Sequence, residues 1–169
     1  HLGLRFSTYM LEHWLRRLYV PEKNKGFLAM LRQGEAAHLA VQLREEWERF
    51  SQEVSAWLGS GDEADQRVIE EPLPVLTSAP DLLGALSRSV RAIADEQEGE
   101  MQAELNALAL RGTGLRDMLD MLLKQSLENH VYWVQRSGRR RQVVLHSAPI
   151  EVAPILDQVL FTATPSVVM

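Results

Sequence analysis

From Ala36 the apolar positions fall at Ala36, Ala40, Leu43, Trp47, Phe50, Val54 and Trp57, alternating spacings of four and three. This is the heptad stripe of one long helix, closed by GSGD at 59–62. Trp47, Phe50 and Trp57 lie on the stripe and are expected in the core, not on a base-stacking platform. Glu45, Glu46, Glu48, Arg49 and Glu53 make its wet face. An earlier helix is expected over TYMLEHWLRRLY, burying Met10, Leu11, Trp14, Leu15 and Leu18. A later one begins near Asp81, where Ser78, Pro80 and Asp81 supply cap and first-turn chemistry. Leu82, Leu86, Val90 and Ile93 carry its buried face to the polar run DEQEGE at 95–100. Met101, Leu105 and Leu108 resume the face, and RGTG at 111–114 is expected to break the helix again. Leu115, Met118, Leu119, Leu122, Leu123 and Leu127 form the last stripe. None of these helices can bury its stripe alone, so they must pack on one another.

Between them, residues 59–80 hold glycines, prolines and acids and read as a surface excursion, with RVIEEPLPVL extended. After Asn129 the pattern changes to strands: Val131 and Trp133, then Val143 and Leu145, alternate about a turn holding Ser137 and Gly138. Pro154 opens a short helix, ILDQVLF, and SVVM at 166–169 reads as the start of a buried strand whose partners would lie elsewhere. The fold class expected is mainly α, with long antiparallel helices, a C-terminal β-hairpin and a short docking helix. Two parts are expected, a helical one over 1–128 and the hairpin, helix and strand start over 129–169.

Composition narrows the function classes. The 169 residues suit one domain with a proper core, and 46% hydrophobic residues with seven prolines exclude bulk disorder. No apolar run is long enough to span a membrane. With no cysteine, disulfides, thiolate metal sites and a cysteine nucleophile are excluded, which fits a reducing compartment. No leader sequence opens the chain, so a cytoplasmic location is expected. The chain begins at His1 and stops on PSVVM, and both ends are expected to be cut from something longer.

The net charge of −5 conceals a segregation. Arg5, Arg16, Arg17, Lys23, Lys25 and Arg32 outweigh Glu12 and Glu22 over residues 1–32, whereas residues 44–71 are strongly acidic. The positive charge returns in one turn as Arg136, Arg139, Arg140 and Arg141. A polyanion would be attracted by both ends and repelled by the middle. The plainer reading of the arginine turn is a charged cap that keeps a sheet edge soluble.

Catalytic chemistry is missing. No GxxxxGK[ST], HExxH, GxSxG or GxGxxG occurs; RGTGLR lacks both the preceding strand and the lysine of a phosphate loop. His1, His13, His38, His130 and His146 stand at no metal-ligand spacing. No catalytic or metal-binding residue is expected.

Two segments carry a resemblance. NHVYWVQRSGRRRQVVLHSAPIEVAPILDQVLF, with PSVVM after it, is similar to the segment of DinG/XPD-like DNA helicases that leads into a motor motif of TSATL type. HLGLRFSTYMLEHWLRRLY, with NKGFL after it, resembles the stretch just beyond the DEAH box in bacterial DinG-like proteins. The resemblance implies a helical insertion, the Arch domain, of an ATP-dependent helicase moving 5′ to 3′ on single-stranded DNA in repair or replication. ATP, Mg²⁺ and any iron–sulfur cluster would then belong to the parent chain. The partners implied are single-stranded DNA and the motor domains of the same chain. Arg136, Arg139, Arg140, Arg141, Arg16, Arg17, Lys23 and Lys25 are the candidate phosphate contacts. The alternative is a helical protein-interaction module whose heptad faces bind partner helices.

Overall fold

A computed structural model describes residues 3–60 and 65–150. Among the described residues, five α-helices and a small antiparallel sheet make a mainly α architecture. In chain order the elements are β1 (Leu4–Ser7), α1 (Thr8–Leu18), a 3-10 turn (Pro21–Lys23), α2 (Phe27–Met30) and α3 (Gly34–Leu58). Next come β2 (Gln66–Ile69), α4 (Ala79–Asp95), α5 (Gly99–Lys124), β3 (His130–Ser137) and β4 (Gln142–Pro149). The expected helix at Pro154 and the strand start at SVVM lie outside the described residues. Among the described residues no helix is long and apolar enough to cross a membrane.

The heptad stripe of α3 is the spine of the core. Ala36, Ala40, Leu43, Trp47, Phe50 and Val54 are all buried along it. Its last turn departs from expectation: Leu58 is buried, while Trp57 is only half-buried and carries Arg67 over its ring at 4.4 Å. A straight helix drifts against a strict seven-residue repeat, so by the third heptad the next residue has rotated inward.

α4 and α5 are joined by three residues and pack closely as an antiparallel pair. The expected break at RGTG does not occur, because α5 runs unbroken through it. Gly112 is there for close approach: a Cβ would come within 2.2 Å of Ser87 Oγ and 2.4 Å of Trp14 Cζ2. The Trp14 ring occupies that space and its Nε1 donates to the Leu108 carbonyl at 2.9 Å. Tertiary packing here outweighs the helix-breaking preference of glycine, which amounts to about 1 kcal/mol.

The start of α4 is capped from a distance. Ser78 makes no side-chain cap of its own; Glu46 of α3 accepts from Ser78 N at 2.9 Å and from Thr77 Oγ1 at 2.8 Å. Arg49 Nη2 donates to the same carboxylate at 2.6 Å. Chiefly through that arginine, and then through the Ser78 and Thr77 bonds, the Glu46 carboxyl is lowered to about 2 despite opposing desolvation.

The sheet order is β1–β4–β3–β2, antiparallel throughout. Two of its strands lie outside the expected hairpin: β2 falls where RVIEEPLPVL is expected to be extended, and β1 comes from residues for which no element is expected. One core cluster includes Phe6, the helices and Tyr132, Val134, Val143 and Leu145. The expected division at 128/129 therefore falls inside a single core.

In the hairpin Val143 and Leu145 of β4 face inward as expected, but β3 presents the opposite parity to the one expected. β3 and β4 pair Val134 with Leu145 and Arg136 with Val143, so Tyr132, Val134 and Arg136 share the inner face with Val143 and Leu145. Val131 and Trp133 stand on the opposite face, where Trp133 stacks on His146 at 4.8 Å and 3°. Burial, with Arg5 on the neighbouring strand, holds the His146 imidazole below its ordinary pKa.

Candidate nucleic-acid interface

The positive residues named from sequence separate into three environments. α1 buries Leu11, Trp14, Leu15 and Leu18, which turns Tyr9, His13 and Arg16 outward at spacings of four and three. The helix starts cleanly because Ser7 Oγ accepts from Met10 N at 3.3 Å. Across from this ridge stands the turn between β3 and β4. Gly138, at φ 75°, and Arg141, at φ 47°, are both left-handed, and Arg141 N donates to the Gly138 carbonyl at 3.0 Å. The ridge and the turn enclose an open groove of about 890 Å³, with Arg16 on one side and Arg140 and Arg141 on the other.

The groove floor comes from α3. Trp47 is held there by its Nε1, which donates to Thr8 Oγ1 at 2.9 Å. Arg44 Nε donates to both Glu12 oxygens, at 3.2 and 3.3 Å, which neutralises the acid one turn before Arg16 on α1. Arg44 Nη1 and Ser51 Oγ are buried at this floor with no hydrogen-bond partner among the described residues. Glu48 is the remaining exposed acid of the lining. The groove is thus basic by a narrow margin, and one of its walls carries an exposed aromatic ring.

Arg136 is elsewhere. By strand parity it points inward, and its side chain is only 7% exposed. It stands 3.4 Å from an Asp65 oxygen, with Nη1 at 3.5 Å from the Ser55 carbonyl and 3.4 Å from Ser55 Oγ. Its expected role as a phosphate contact is corrected to a tie between the hairpin and the end of α3. Asp65 also accepts from Arg141 Nη2, so one carboxylate braces both the inner arginine and the turn. Arg139 is exposed on the turn but outside the groove lining.

The N-terminal cluster divides as well. Arg17 reaches Glu104 of α5 at 3.5 Å and, with Lys25, borders a separate depression beside Phe27 and Met30. Lys23 is exposed on the 3-10 turn. Only Arg16 of that cluster joins the hairpin arginines.

Four residues of the site, Tyr9, His13, Arg44 and Asp65, do not stand out in the sequence. The first two had a signal, since they share the outward face of α1 with Arg16. Arg44 and Asp65 had none, because their partners are distant in the chain. Among the described residues no group of three His, Cys, Asp or Glu side chains could hold a metal ion. No protein-family model matches the sequence, and no curated protein matches it either.

Proposed function

We propose that this chain is the helical insertion of an ATP-dependent DNA helicase of DinG/XPD type, where it contacts and gates single-stranded DNA through the groove between α1 and the β3–β4 turn. The observation that carries this reading is the meeting of Arg16 with Arg140 and Arg141 around one groove, although the two sets are far apart in sequence. Guanidinium groups on both sides of a groove suit a phosphate backbone, which they can grip bidentately.

The chain offers no phosphate loop, so ATP and Mg²⁺ would be handled by motor domains of the parent. The alternative of a module that binds partner helices is weakened by the core. The heptad face of α3 is already covered by the chain's own helices and sheet, so that stripe is not open to a partner.

Fluorescence anisotropy with a labelled single-stranded oligonucleotide, at several salt concentrations, tests the proposal. Binding whose logarithm falls with log salt, by about 0.7 for each phosphate contact, is expected. No binding at low salt, together with concentration-dependent dimerisation, would overturn it in favour of the interaction module.

A further inference from the structure

We infer that Tyr9 stacks on an unpaired base of the strand in this groove, and that this contact makes the groove select single strands over duplex. The inference rests on the nucleic-acid reading of the groove and adds the base to the phosphate. Tyr9 is 72% exposed, so most of its ring meets solvent. The ring is not loose: it stacks on His13 at 5.9 Å and 22°, one turn along the same ridge. Two turns along stands Arg16, roughly 10 Å away by helical rise, and all three side chains line the groove that Arg140 and Arg141 close from the other side.

The charges explain why an aromatic is needed. Of the four arginines of the lining, Arg44 is committed to Glu12 and Arg141 to Asp65. Arg16 and Arg140 are left to attract phosphate, and Glu48 opposes them. Two phosphate contacts against one acid give a modest electrostatic attraction that salt removes easily. Stacking supplies the missing part in a form that salt hardly screens, and every base has a face to offer. In duplex the bases are stacked on one another, so their faces are closed to a tyrosine. A groove with this division of labour holds single strands of any sequence and releases duplex.

The test uses the chain with three labelled probes of equal length: a thymidine oligonucleotide, a duplex, and a sugar–phosphate oligomer without bases. Tyr9→Ala should weaken binding of the thymidine strand about 5- to 50-fold with an unchanged salt slope, while binding of the baseless oligomer stays as in the parent. Tyr9→Phe should retain the parent affinity. Arg16→Ala with Arg140→Ala should flatten the salt slope for the thymidine strand and the baseless oligomer. If the arginine variant loses affinity and slope but Tyr9→Ala binds the thymidine strand as tightly as the parent, the stacking inference fails and the nucleic-acid reading stands. If the parent chain binds none of the probes at low salt, both fail. Circular dichroism of Tyr9→Ala, expected to match the parent because the ring is exposed, separates lost binding from lost folding.

Discussion

Arg136 and Arg140 stand four residues apart on one hairpin and end in opposite surroundings. Arg136 belongs to the strand, on the same side of the pleat as Tyr132 and Val134, and is carried against Ser55 near the end of α3 and Asp65 just before β2. Arg140 belongs to the turn, where no strand parity governs it, and it faces the open groove. The same side chain is a brace in one place and an available cation in the other. What decides is its position relative to the pleat and the turn. Residue type and spacing in the sequence do not distinguish the two.

The contrast can be broken from the inside first. Trp47 joins the buried stripe of α3 to the groove floor, so Trp47→Ala should cost about 3–5 kcal/mol in chemical denaturation as a large-to-small core change. A loss under about 1 kcal/mol would mean that the floor is not core. Arg136→Ala should come second, at about 1–3 kcal/mol, because it takes the Nη1 donor from Ser55 and one of two arginines from Asp65. A neutral Arg136→Ala would place that arginine with the turn instead.

Two acids on α3 repeat the contrast. Glu46 is 15% exposed and tied to Arg49, Ser78 and Thr77, whereas Glu48, two residues on, is exposed at the groove. The folded-state carboxyl of Glu46 is depressed from 4.5 to about 2. Its stabilising contribution is therefore complete above pH 4.5 and is lost as pH falls toward about 2, since the unfolded chain takes up the proton first. Thermal melts across that window should show the parent losing stability more steeply than Glu46→Gln. Parallel curves would remove Glu46 as the cap of α4. Smallest of all should be Arg140→Ala, within about 0.5 kcal/mol in the same melts, as an exposed turn residue. A larger loss would show the turn arginine to be structural too.

Much of the helical layer and the β3–β4 hairpin were legible in the sequence; the pairing of β1 and β2 and the inner face of β3 were not. The stripe from Ala36 to Val54 could be read because polar residues separate its members at a helical period. In HVYWVQ and QVVLH the apolar residues are adjacent, so both parities look buried and the inner face of the hairpin cannot be chosen. β1 and β2 are four residues each and exist by pairing with β4 and β3; the extended character of RVI was legible, but its long-range partner was not. RGTG misled because a glycine that receives the Trp14 ring looks the same in sequence as one that ends a helix. For the site, charge pointed to Arg16, Arg140 and Arg141. It could not say that Arg17 and Lys25 border another depression or that Asp65 braces Arg141.

If the ridge of α1 and the hairpin turn form one interface, the residues that matter must be the ones that meet across the groove. The most direct measurement is the salt dependence of single-strand binding in two double variants, Arg16→Ala/Arg140→Ala and Arg17→Ala/Lys25→Ala. Both remove two positive charges from exposed sites, so a net-charge effect would move them equally. The first pair should lower the slope of log affinity against log salt by about 1.4, at about 0.7 for each phosphate left without its arginine, while the second leaves it near the parent value. Equal slopes in the two variants, or a drop confined to the Arg17/Lys25 pair, would contradict a single interface.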